Sequence, residues 1–174
     1  MKTIQVGIEG ISALLMHAFP LVPVVAIEKK EPKDQAKIAA YIDPETEELY
    51  VPGIAIQRAL IPGASYSKGK GRASLQKIVA ACVLVSPERV PLHQKEYVID
   101  SRAVVMPATK GRVIRYRPRL DHWKLEFEVD YDEDLLTRDQ LNRIIIDTGS
   151  RVGLLDFRPE RKGPFGRFQL VKFS

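Results

Sequence analysis

Three stretches of the chain concentrate the residue types that bind phosphate. Ser65–Gly71 reads SYSKGKG and is followed by Arg72, so Tyr66, Lys68, Lys70 and Arg72 fall in one short loop. Arg102–Lys124 holds Lys110, Arg112, Arg115, Tyr116, Arg117 and Arg119, and its only acid is Asp121. Arg158–Phe168 reads RPERKGPFGRF and holds Arg158, Arg161, Lys162, Gly163, Phe165, Gly166 and Arg167. Arginine offers a fork of donors to phosphate oxygens, glycine lets backbone amides come close, and aromatic faces stack on bases. These residues are the expected nucleic-acid contacts. The bases neutralise phosphates, and Tyr66, Tyr116 and Phe165 supply stacking faces.

The net charge is only +5, with a pI near 9.3, but it is unevenly spread. Acids collect in Asp43–Glu48 and Glu126–Asp139, away from the basic windows. Segregated charge projects a local field larger than the net charge suggests. The partner it fits is single-stranded RNA or DNA, with RNA ahead.

Other chemistry has little to stand on. The sequence at Gly69-Lys70-Gly71 continues into Arg72-Ala73, so it is no nucleotide phosphate loop. Gly149 and Gly153 follow no strand, which excludes a dinucleotide fingerprint, and no Gly-x-Ser-x-Gly elbow exists. His17, His93 and His122 lie too far apart for a helical zinc pair. The single cysteine, Cys82, sits in an apolar run as a small buried hydrophobe. It allows no intrachain disulfide and no cysteine zinc site, which points to a reducing, cytoplasmic setting. No metal or cofactor is expected. Asp132 and Asp134 precede a helix, where acids complement the dipole. Ala18–Ile27 carries two prolines and no basic leader, so neither a signal peptide nor a membrane span is expected. His17 is the one histidine placed for catalysis, as general base on a ribose 2′-hydroxyl with a cation to stabilise the phosphorane.

A chain of 174 residues, 45% hydrophobic and 28% charged, fits one globular domain. Thr3–Glu9 alternates as a strand, and Ile11–His17 continues it or makes one helical turn. Phe19–Lys37, with Pro20, Pro23 and Pro32, is expected to be a surface excursion. Ala40–Ile42 and Leu49–Val51 flank the turn Asp43-Pro44-Glu45-Thr46 as a hairpin. Pro52-Gly53 opens a helix that Pro62-Gly63 ends, and Ala73–Val85 reads as helix then strand. Tyr97–Met106 and Arg112–Arg117 are strands about a turn, with Pro118 limiting the second. Trp123–Tyr131 alternates apolar and charged, the clearest strand of all. Thr137 and Gln140 form a capping box for a helix running to about Val152. Leu154–Gly166 is a loop, and Arg167–Phe173 is the closing strand. The order β, α, β, β, α, β predicts an α+β fold: a ferredoxin-like or RNA-recognition-motif antiparallel sheet, with helices on one face and hairpin insertions. Such a sheet leaves its other face open to a ligand.

Tyr50-Val51-Pro52-Gly53-Ile54-Ala55-Ile56-Gln57-Arg58-Ala59-Leu60 resembles the strand, Pro-Gly and helix entry of the RAMP superfamily, the Cas7-like RNA-binding proteins of CRISPR effector complexes. Gly163-Pro164-Phe165-Gly166-Arg167-Phe168 is similar to their glycine-rich loop before the last strand, although Asp156 and Glu160 depart from that pattern. The resemblance implies a ferredoxin-like core, backbone-directed binding of single-stranded nucleic acid, and protomers packed side by side in an oligomer or ribonucleoprotein. Arg102–Arg119 would then be a basic thumb-like hairpin. The runner-up within the superfamily is a Cas6-like, metal-independent endoribonuclease using His17. Gly10–His17 and Val152–Pro159 also resemble a family of small phage proteins, which leaves a structural or assembly role as a third expectation.

Overall fold

The computed structural model describes residues 1–20, 27–67 and 74–174. Its central sheet is antiparallel throughout, in the order β4 (Val83–Ser86), β8 (Lys124–Tyr131), β1 (Lys2–Gly10), β9 (Phe168–Phe173). Two crossovers cover one face. The first, between β1 and β4, carries α2 (Gly53–Gly63) and α3 (Leu75–Cys82); the second, between β8 and β9, is α4 (Arg138–Asp147). This is the expected ferredoxin-like α+β arrangement, reached because alternating strands and amphipathic helices each have one apolar side to bury. Leu125, Phe127, Val129 and Tyr131 of β8 point into the core with Val6 and Ile8 of β1. Leu141, Ile144 and Ile145 of α4 pack onto the same layer.

Local signals set the helix ends. α2 begins at Gly53, directly after Pro52, and ends at Gly63. The Thr137 hydroxyl accepts the Gln140 backbone N–H at 3.2 Å, and the Gln140 side chain accepts the Thr137 N–H at 2.9 Å, closing the capping box. α4 continues as a wider π-turn over Thr148–Val152.

Between β4 and β8 stands a long hairpin of β6 (Val98–Val105) and β7 (Arg112–Leu120), in register with Asp100 opposite Arg117 and Arg102 opposite Arg115. β2 (Leu14–Leu15) extends this hairpin into a second sheet, and β3 (Tyr50–Pro52) pairs with β5 (Arg89–Pro91).

Several expectations change. Phe19–Lys37 is not all surface excursion, because Pro32–Ala39 forms a helix, α1, that buries Gln35, Ala36 and Ala39 against β7. Ile11–His17 contributes only β2. The hairpin around Asp43 is short: Ile42 bridges Leu49 and the Tyr50 N–H donates to the Tyr41 carbonyl at 3.1 Å, while Tyr50 and Val51 also pair with β5. Pro118 does not end its strand. Its carbonyl accepts the Met16 N–H at 2.9 Å, and β2 secures Arg119 and Leu120 beyond it.

The open face of the sheet is the largest correction. Thr3, Gln5, Glu9, Lys124, Glu126, Glu128 and Asp130 lie outward on β1 and β8. None of these outward residues is aromatic, and acids outnumber bases. A nucleic acid spread on this face, as on an RNA-recognition motif, meets repulsion and no stacking platform.

Candidate nucleic-acid interface

The fold brings two of the three basic windows together. The Arg102 guanidinium lies over the Phe165 ring at 4.7 Å and near Phe157 at 5.9 Å, while its Nε donates to Asp100 at 2.7 Å. Arg117, only 6% exposed, is paired with Asp156. These contacts pin the loop after α4 beneath the root of the hairpin.

Pinning consumes many of the expected contact residues. Arg115 donates to Glu28 at 2.9 Å, and Arg119 to Asp121 at 2.8 Å and Asp100 at 3.4 Å. Arg115 and Arg117 therefore hold the hairpin to the body, and Arg119 bonds within the hairpin, where phosphate contact was expected. Tyr116 is half-buried on β7. Arg158 grips Glu160 at 2.6 Å and donates to the Leu155 carbonyl at 2.8 Å. Phe165 is a packing residue, 6% exposed, and its ring is occupied by Arg102 where a stacked base was expected. Gly166 has a positive φ of 76°, and a Cβ there would strike the Leu154 backbone. Gly163 packs in the same way against the Phe157 carbonyl. Neither glycine is held open for a ligand.

What remains on the surface is a smaller set. Lys110 and Arg112 lie at the hairpin tip, and Arg161, Lys162 and Arg167 on the loop. Arg167 donates to the Ser150 carbonyl at 2.6 Å while staying exposed. Next to Ser150, Arg151 lies over the ring of half-exposed Tyr66 at 4.7 Å. Lys68, Lys70 and Arg72 fall outside the described residues.

The same loop forms one wall of a cavity of about 390 Å³, lined by His17, Tyr41, Arg58, Asp156 and Arg158 and by the first turn of α2. Asp156 sits between two residues of positive φ, Leu155 at 59° and Phe157 at 46°. Left-handed backbone at bulky residues costs energy and persists where the surroundings demand it. Here they hold the Asp156 carboxylate against Arg117 and 3.5 Å from His17 Nδ1. Burial pushes that carboxyl up, but the His17 hydrogen bond and the Arg117 charge outweigh it and leave it below the usual aspartate range. Burial, with Tyr50 and Asp156 nearby, raises the Tyr41 phenol. Asp156, Tyr41 and Arg58 were missed by sequence reasoning. Arg58 alone left a trace, one turn after exposed Ile54 on the outer side of α2. The meeting of Asp156 with His17 and Arg117 is purely tertiary. Among the described residues no cluster of three or more His, Cys, Asp or Glu side chains could hold a metal ion.

Fold and site define a ferredoxin-like α+β domain with an inserted hairpin braced against the loop that precedes the last strand. A solved structure of similar shape is a chain of the cryo-electron-microscopy structure described as Type III-B Cmr-beta bound to cognate target RNA. The two share a TM-score of 0.57 and 15% sequence identity over 99% of this chain and 59% of that chain. At that identity the likeness is one of fold, and this chain spans 59% of the neighbour's length. No protein-family model and no curated protein matches the sequence. No helix of the described residues is long and apolar enough to cross a membrane.

Proposed function

We propose that the chain is a Cas7-like subunit of a CRISPR ribonucleoprotein that binds the backbone of single-stranded RNA without cleaving it and packs beside other subunits. The observation that carries this is the placement of exposed cations along one loop. Arg161, Lys162 and Arg167 follow in sequence on Asp156 and Arg158, which line the cavity together with His17 and Arg58. A phosphate entering the cavity meets Arg58 and the positive end of α2, while Arg117 cancels the Asp156 charge. The shared fold with a chain of an RNA-bound complex supports the same function. A uridine oligomer of about twenty nucleotides, followed by fluorescence anisotropy at low salt, tests it. The native protein should bind, and Arg58→Ala with Arg161→Ala should weaken binding about tenfold or more while melting unchanged. Binding that ignores both substitutions would remove this surface from the interface.

One observation favours a second activity, metal-independent cleavage. His17 Nδ1 is 3.5 Å from Asp156, which leaves Nε2 to take the proton of a ribose 2′-hydroxyl. That oxygen would attack the adjacent 3′-phosphorus, giving a 2′,3′-cyclic phosphate as the 5′-oxygen leaves with a solvent proton, and Arg58 would stabilise the phosphorane. Incubation with RNA hairpins in a chelator decides the matter: cleavage abolished by His17→Ala supports it, and intact RNA with the native protein ends it.

A further inference from the structure

β6 is the outer strand of the hairpin sheet, and its far side is bare. Two observations fix the phase of its ladder with β7. Ile99 lies opposite Pro118, which has no N–H to give, and the Met106 N–H donates to the Gly111 carbonyl at 2.8 Å. Val98, Asp100, Arg102 and Val104 therefore turn their backbone groups toward β7, and Ile99, Ser101, Ala103 and Val105 turn theirs away. Among the described residues those four backbones have no hydrogen-bond partner. All four residues are exposed.

Such an edge is a template for a further strand, and proteins commonly blunt it with proline, lysine or a bulge. β6 reads VIDSRAVV, with neither proline nor lysine, and it pairs with β7 without a register shift. A strand that adds to it must offer main-chain donors and acceptors with the same period of two, and side chains that match on both faces.

The strand that matches is β6 itself. We infer that two copies of the chain pair through their β6 edges, antiparallel about a two-fold axis at Ser101, and join their hairpins into one continuous sheet. Ser101 exchanges both backbone hydrogen bonds with its counterpart, and Ile99 does the same with Ala103. Asp100 and Arg102, the only charges on the strand, pair within each copy at 2.7 Å and also meet their opposites across the junction. Charge selects this centre. An axis at Asp100 sets Asp100 against itself, an axis at Arg102 sets Arg102 against itself, and like charges directly opposite destabilise a sheet. An axis between two residues sets an outward-facing backbone against one already spent on β7, so no ladder forms. On the other face, the aliphatic side chains of Ile99, Val105 and Ile114 continue across the junction. The contact is isologous and closes at two copies. It goes beyond the proposed function and rests on none of its steps.

Sedimentation velocity on nuclease-treated protein, joined to disulfide trapping, tests it. The native chain should pass from monomer to dimer as concentration rises and grow no further. Ser101→Pro removes an N–H that faces away from β7, which an edge strand tolerates, so it should melt near the native temperature and stay monomeric. Ser101→Cys sets two thiols across the axis at a Cα separation of about 5.5 Å, within disulfide range, and mild oxidation should give a covalent dimer. Val105→Cys, held roughly 25 Å from its counterpart at ~3.3 Å per residue in the same register, should give none. The native chain, whose thiol at Cys82 is buried, should give none either. If Ser101→Pro melts early, the two cysteine variants decide. A native chain that stays monomeric, a native-like melt of Ser101→Pro with undiminished dimer, or trapping of Val105→Cys as readily as Ser101→Cys would each overturn the inference. Loss of RNA binding with the dimer intact would remove the RNA reading alone.

Discussion

Asp156 does more than any other single residue to join the parts of the site. It is the counter-charge of Arg117, the partner of His17 and a wall of the cavity. Asp156→Asn removes a charge from beside a nearly buried guanidinium, whose Nε already lacks a partner. The cost should be about 1.5–3 kcal/mol, measured by urea unfolding near neutral pH. The pH dependence follows from the lowered carboxyl. Its stabilisation is fully present above the unfolded aspartate value of about 4 and is lost as pH falls through the lower folded value. The gap between native and variant should therefore close in acid, and a gap that stays constant through that range would mean the charge does not matter. Phe165 teaches a related lesson. Its neighbours Gly163, Pro164 and Gly166 look like an exposed loop in sequence, yet Arg102, more than fifty positions away, covers its ring. Phe165→Ala should cost about 3–5 kcal/mol, the range for a buried aromatic, where a surface stacking residue would cost almost nothing.

The elements were legible wherever a local signal was strong. The alternation of Trp123–Tyr131, the Pro52-Gly53 entry to α2 and the Thr137–Gln140 box all act over a few residues, and the structure keeps all three. Ile145→Ala should cost roughly 2–5 kcal/mol by opening a cavity between α4 and the sheet, against about 1 kcal/mol for Thr137→Ala at the cap. Equal small losses in thermal melts would mean that α4 is not packed as described. Elements set by distant partners were not legible. α1 carries too much charge to look buried, and it is fixed by β7. Tyr50 and Val51 also pair with β5, some forty residues on, which no local signal marks. The glycine loop belongs to this second group. Gly166→Val should lower the melting temperature sharply, because the new side chain meets the Leu154 backbone at a left-handed φ.

At the scale of the whole molecule, charge is sorted by surface. Acids line the open sheet face, the hairpin arginines are spent on internal acids, and the loop cations Arg161, Lys162 and Arg167 stay exposed with no acidic partner among the described residues. Sequence windows could show that bases were clustered, but pairing across the fold decides which of them are available. Removing Arg115 and Arg117 should therefore weaken folding and leave the salt dependence of RNA binding nearly unchanged, whereas removing loop cations should do the reverse. The most direct measurement is the slope of log affinity against log salt for a uridine oligomer of about twenty nucleotides, on the native protein and on Arg161→Ala with Lys162→Ala. Each phosphate neutralised on a single strand contributes about −0.7 to that slope. The variant should bind with a slope less negative by about 1.4 and melt at the native temperature. A native protein that does not bind at low salt, or a variant whose slope matches the native one, would contradict the assignment of this surface to nucleic acid.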